Sequence, residues 1–420
     1  MTRITGVEAW EVLDSRGTPT VACEVRTADA RATAAVPSGA STGQYEAPEL
    51  RDGGERYGGR GVLRAVANVN GAIRDAVTGL DATDQRAVDD VLRGLDLRRV
   101  GANAVLAVSI ATWLASAAAQ RIEPYEALGG APLLPLPMVN VLSGGAHAGR
   151  AIDVQDFLVV PVGAESFAQA IEWAARVRAA CQAIAGERGY AATLVADEGG
   201  LGLPLASNRA ALELLADGIE RSGLKPGVEA AIAIDVAATQ LVTEGGYALV
   251  REDRVLRAAE LVEELVGWAN DHPVVSIEDP LGDDDWTGWR TATEHLGDRV
   301  QLLGDDLFVT DADRLARGIE SNVANAVLVK PNQTGTLTGA ADVVAAAHAA
   351  GYATVVSARS GETEDAWLAD LAVGLRAGQV KVGSTTRSER TAKWNRLLRI
   401  EQRTGAPFAG RAAIERGVRQ

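Results

Sequence analysis

Cysteine is nearly missing: Cys23 and Cys181 are the only two in 420 residues. Two thiols build neither a disulfide framework nor a thiolate metal cage, and their scarcity leads us to expect a cytoplasmic protein. Histidine is almost as rare, with His147, His272, His295 and His348. These are scattered rather than spaced as ligands, which argues against a zinc site. His272, His295 and His348 fall before a strand or within helical stretches and read as surface or packing residues. Basic side chains are outnumbered 41 to 56, a net charge of −15. The chain thus lacks the clustered Lys and Arg that a phosphate backbone demands, and nucleic acid is excluded as its main partner. Small anionic substrates stay open, because a local cationic pocket or a bound metal can hold them. Long apolar runs are missing too. A long uncharged stretch, 100–120, carries Gly101, Asn103, Ser109, Thr112, Ser116 and Gln120. It reads as a buried Ala-rich helix rather than a membrane span, which wants about 20 predominantly apolar residues. Residues 1–14 include acidic side chains where a secretory signal would be apolar, so no targeting segment is expected.

What is present is ordinary globular composition, 47% hydrophobic and 23% charged. The length suits two or three domains, or a (β/α)₈ barrel with a smaller companion. Segments 4–12, 20–26 and 31–36 alternate like strands, with D-S-R-G-T-P as the first turn, and helical periodicity follows over 62–120. Strands followed by helices predict a compact α+β domain, residues 1–128. A Pro- and Gly-rich connector, 129–137, opens the second domain, residues 129–420. There the runs A-A-I-A-I-D, P-V-V-S-I-E-D, V-Q-L-L-G-D-D, N-A-V-L-V-K, A-T-V-V-S-A-R-S and Q-V-K-V-G alternate with helical stretches such as 258–270, 336–350 and 387–401. Continuous apolar strands alternating with helices predict an α/β fold with a parallel sheet, and this many of them predict closure into a barrel.

These runs carry charge at or near their ends: Asp235, Glu278, Asp305, Lys330, Arg359 and Lys381. In a barrel such ends open onto one face, so residues distant in sequence converge. Asp235, Glu278 and Asp305 make an all-oxygen set suited to a hard cation such as Mg²⁺, and without one they would repel and raise one another's pKa. A lysine close to a second ammonium and a metal is pushed toward its neutral form, so Lys330 and Lys381 are expected to include a base. A neutral lysine beside Mg²⁺ can remove a proton α to a carboxylate, giving an ene-diolate. A-D-E-G-G places Glu198 on a turn after the strand-like T-L-V, where a carboxylic acid could protonate a departing hydroxide. Arg359 with Ser360 suits a phosphate clamp. S-G-A-S-T-G at 38–43 reads either as a surface turn or as a lid whose hydroxyl and carbonyls complete a second metal shell.

The motifs L-D-S-R-G-T-P-T-V, A-V-P-S-G-A-S-T-G, A-D-E-G-G, I-D-V-A-A, S-I-E-D-P, G-D-D-L-F-V-T, K-P-N-Q-T-G-T-L and R-S-G-E-T-E-D resemble the enolase (phosphopyruvate hydratase) family. The resemblance implies an α+β capping domain before a modified barrel, usually in a homodimer. It implies two Mg²⁺ per active site, with Asp235, Glu278 and Asp305 on the first and Ser41 on the loop that binds the second. Lys330 matches the proton-abstracting base, Glu198 the acid and Lys381 the lysine near the substrate carboxylate. Arg359 and Ser360 match the phosphate-binding pair, and His147 and Gln155 match positions on another mobile loop. Two positions depart: the family has His at Ala358 and Glu at Asp156. Smaller departures are Leu201 for Phe and S-T-T at 384–386 for A-P and a variable residue. The expected reaction is dehydration of 2-phosphoglycerate or a phosphorus-modified analogue. Since Ala358 would enlarge the phosphate pocket, a relative that makes carboxyphosphonoenolpyruvate for phosphinate antibiotics is the alternative. A non-catalytic binding protein would be marked by loss of Lys330, Glu198 or a metal carboxylate, and all are present.

Overall fold

The computed structural model describes residues 2–39 and 43–418. The chain begins as an antiparallel meander: β1 (Ile4–Leu13), β2 (Pro19–Thr27) and β3 (Arg31–Ala35), with Leu13 opposite Pro19 across the predicted turn. The helix Ala102–Gln120 packs on β2 and β3. Its Ala-rich sequence favours helix, and being apolar all round it can only be buried. It is long and apolar enough to cross a membrane, yet it lies in the protein core.

The rest of the chain winds β4 (Leu136–Ser143), β5 (Asp156–Val160) and β6 (Ala231–Asp235). A small sheet follows, β7 (Val242–Thr243), β8 (Gly246–Leu249) and β9 (Arg254–Leu256). Then come β10 (Val274–Glu278), β11 (Gln301–Gly304), β12 (Ala326–Val329), β13 (Ala353–Ser357) and β14 (Gly378–Gly383). Eight strands close a barrel in the order β10-β11-β12-β13-β14-β4-β5-β6. The barrel is parallel but for one strand, the departure that makes it a modified barrel: β5 runs antiparallel to both β4 and β6. The T-L-V segment is not a strand either; Leu194 and Val195 are exposed, and Val195 makes only an isolated bridge to Leu201.

Strand periodicity aims the site. Side chains alternate faces, so residues two apart share one. Ala231 and Ala233 fill the barrel interior, as do Leu303, Ala326 with Leu328, and Ala353 with Val355. Continuing each series by two brings Asp235, Asp305, Lys330, and then Ser357 with Arg359, to the mouth. The apolar alternation that packs the barrel thereby fixes the direction of the polar groups above it.

Candidate active site

All six charged residues at the predicted run ends meet at this mouth. Asp235 and Glu278 end β6 and β10 and are neighbours in register. Asp305 and Lys330 follow β11 and β12 by one residue, Arg359 follows β13 by two, and Lys381 lies within β14. A cavity of about 30 Å³ is lined by Asp235, Asp305, Lys330, Arg359, Ser360 and Lys381, with Glu46, His147, Gln155, Glu198 and Ala358. Ser41 lies outside the described residues.

Ammonium groups hold the carboxylates. Lys381 Nζ donates to Asp235 Oδ2 and Glu278 Oε2, both at 2.7 Å, and Lys330 Nζ donates to Asp305 Oδ2. Burial opposes the charge on Lys330, but Asp305 outweighs it and raises the pKa. Lys381 is likewise opposed by burial, yet Asp235 and Glu278 carry it well above the usual lysine range. Carboxylates rather than a second ammonium are their nearest neighbours, which favours the charged form of both lysines. The acids share the strain: burial and then the charge of Asp235 lift Glu278 far above the carboxylate range. Burial and then Asp305 push Asp306 up to about 7.

Across the mouth, His147 stands on the turn Gly145–Ala148. Its Nδ1 lies 2.7 Å from Asp156 Oδ2. Asp156 Oδ1 accepts from Asn140 Nδ2 at 2.5 Å and Ser143 Oγ at 2.8 Å. Asp156 is wholly buried, and both its oxygens are engaged by protein. Burial opposes the imidazolium, but Asp156 and then Glu198 hold its pKa up, at about 9. Burial raises Glu198, and His147, Arg390 and the two lysines more than reverse this. These neighbours favour the carboxylate form of Glu198 beside the imidazolium of His147. Gln155 donates to Asp235 Oδ2 at 3.1 Å and accepts from Gln240 at 2.7 Å.

Next to Glu198 lies Arg390, fully buried, whose guanidinium donates to the carbonyls of Arg359, Val382 and Ser360 at 2.7, 3.0 and 2.6 Å. Arg16 Nη1 reaches Ser360 Oγ at 3.3 Å. Sequence reasoning missed Arg390, Gln240, Gln333 and Glu46. Their signal is tertiary, since each is an ordinary polar residue until the fold turns it inward. Gln333, for example, donates to Asp305 Oδ1 at 3.1 Å.

The donors fit a hard cation. Glu278 Oε1 is buried with no hydrogen-bond partner among the described residues, and the surrounding ligand atoms are carboxylate oxygens, with Glu278, Asp279 and Asp306 raised by burial and neighbouring charge. Asp279, Asp305 and Asp306 offer oxygens within 4.8 Å of one another, as do atoms of His147, Asp156 and Glu198. Asp235 and Glu278 are instead held through Lys381. Unpaired buried oxygens gathered around negative charge are what a divalent ion neutralises.

Comparison with protein families agrees with this architecture. Residues 4–128 match the model described as enolase, N-terminal domain, and residues 131–416 match enolase, C-terminal TIM barrel domain.

Proposed function

We propose, for a chain that belongs to the enolase family and so to Mg²⁺-dependent dehydratases of that type, that it removes water from 2-phosphoglycerate or a phosphorus-modified analogue. The observation that carries this reading is one small polar cavity lined by Lys330, Lys381, Asp235, Asp305, Glu198 with His147, and Arg359 with Ser360. In this reading Asp235, Glu278 and Asp305 hold the first Mg²⁺. When bound, Mg²⁺ supplies positive charge to the substrate carboxylate and relieves the lysines of the acids that now neutralise them. Lys330 takes the proton α to that carboxylate, and Lys381 pairs with the carboxylate itself. The imidazolium of His147 passes its proton to Glu198, whose ligand atom lies within 4.8 Å of the ring, Glu198 delivers it to the leaving hydroxide, and Asp156 acts by orienting His147. Arg359 and Ser360 take the phosphoryl oxygens. A cytoplasmic homodimer or larger homo-oligomer goes with the reading, consistent with two buried, free cysteines.

The test is exchange of the α-proton in D₂O with Mg²⁺ present. Lys330→Ala should abolish exchange, whereas Glu198→Gln should keep it and lose dehydration. Equal loss of both reactions would overturn the division between base and acid, and absence of exchange with any phosphoglycerate-like acid would favour a binding role.

One observation favours a second reading. Ala358 lines the same cavity immediately before Arg359, and a methyl leaves space there for a larger phosphorus substituent. Kinetics on 2-phosphoglycerate and its carboxyphosphono analogue, side by side, decide between glycolytic enzyme and specialised relative.

A further inference from the structure

Glu46 comes from the segment after β3 and turns its carboxylate into the barrel mouth, where its side chain is 7% exposed. Arg359 Nη1 donates to its Oε2 at 2.9 Å and Nη2 to its Oε1 at 3.2 Å. Two parallel N–H···O bonds are the geometry by which a guanidinium takes a phosphoryl group. Among the described residues Oε1 also accepts from Gly43 N at 3.0 Å and, at the long limit, from Gln333 Nε2 at 3.5 Å. While it stays, the two guanidinium N–H groups of Arg359 that would hold a phosphoryl group are taken. On its far side Glu46 borders a second cavity of about 390 Å³, to which Arg16, Arg60 and the ion pair of Arg51 with Glu49 also contribute.

We propose that Glu46 is an internal competitor for the phosphoryl site. The substrate's phosphoryl dianion displaces the carboxylate from Arg359, and the side chain swings toward the second, arginine-lined cavity. The inference rests on the reading of Arg359 as the phosphoryl clamp. Flanking contacts make the exchange a side-chain movement rather than an opening of the segment. Tyr45 donates to Asp284 Oδ2 at 2.8 Å with the Arg314 guanidinium 3.9 Å from its ring centroid, and Ala47 N donates to Gln333 O at 2.9 Å. Recognition then becomes selective by charge. A lone carboxylate competes with Glu46 as an equal, whereas a dianion brings twice the charge to the guanidinium.

Calorimetric titration of the full chain with inorganic phosphate, Mg²⁺ present, tests this. Glu46→Gln keeps the shape and removes the competing charge, so phosphate should bind about tenfold tighter as the occupied state is lost. Glu46→Asp, shorter but still charged, should tighten binding by less. Unchanged or weaker binding in Glu46→Gln overturns the proposal, since Glu46 would then only position Arg359. Should that variant fail to fold, unchanged or weaker binding in Glu46→Asp overturns it equally. Arg359→Gln separates the two readings. If it binds phosphate as the wild type does, the clamp itself is wrong; if it loses binding while Glu46→Gln is unchanged, only the exchange fails.

Discussion

His147 shows how much a single side chain can be governed by its neighbours. Its imidazolium is stabilised by Asp156 and Glu198, with a pKa of about 9 against an ordinary 6.5. Because the folded value is raised, the stabilisation is complete below about pH 6.5 and is lost as pH climbs through 9. The difference amounts to about 3 kcal/mol. Urea denaturation of the metal-free protein at a series of pH values should show that decline, and His147→Asn should flatten it. A variant as steep as the wild type would mean that another group titrates. Ala358→His places a donor beside Arg359 and should raise turnover of 2-phosphoglycerate by about tenfold if the pocket is built for a larger group, because small changes of placement near chemistry have effects of that size. Undiminished wild-type activity on 2-phosphoglycerate, unmoved by the substitution, would favour the glycolytic enzyme. The residues at the ends of β6 and β10 to β14 were legible as charges closing apolar runs. Composition held a further signal. The chain has four lysines, Lys225, Lys330, Lys381 and Lys393, among 41 basic residues. Where arginine is so dominant, a lysine kept at a strand end marks a place that needs an ammonium able to lose its proton. What a sequence could not say is which partner each lysine meets, and hence that both are held charged without metal.

Among elements, the helices Phe167–Glu187 and Asn208–Arg221 pack so closely that a Cβ built on Gly218 would lie 2.2 Å from Cys181 Sγ. Gly218→Ala should therefore destabilise by about 1–3 kcal/mol through overpacking, offset by up to about 1 kcal/mol of helix propensity. Adding Cys181→Ala should recover much of the loss, and a double-mutant cycle in denaturant measures the coupling. Additive effects would show that the clash relaxes elsewhere. The strands β10 to β14 were readable as buried apolar runs between helices. β5 was missed because five apolar-rich residues look the same whichever way the strand runs; direction is set by the connections, which no local pattern reports. T-L-V misled because β-prone residues exposed on a turn find no extended partner; Val195 makes only an isolated bridge to Leu201.

At the scale of the whole molecule, an acidic chain with buried, partly protonated carboxylates should couple metal to protons. Burial and neighbouring charge hold Glu278 and Asp279 far above the carboxylate range, and Asp306 at about 7. A cation entering there expels protons, so Mg²⁺ affinity should rise with pH through 7. Calorimetry in two buffers of different ionisation enthalpy should show net proton release at pH 6.5, shrinking by pH 8; heats independent of buffer would sink the coupling. At a hundredfold excess over Kd, Mg²⁺ should add about 2.7 kcal/mol of stability, readable as a rise in Tm.

The reversed β5 has a consequence for how the ring is staffed. A cylinder whose strands all climb needs one descent between each pair. A strand that itself descends leaves the chain on the lower rim, so a single helix would deliver it to β6 from above, facing the wrong way. Two helices are needed, up by Phe167–Glu187 and down by Asn208–Arg221, and the hairpin joining them passes over the upper rim carrying Glu198. Parity alone thus grants this barrel an additional approach to its centre, and rebuilding β5 as a climber would remove the acid's only footing.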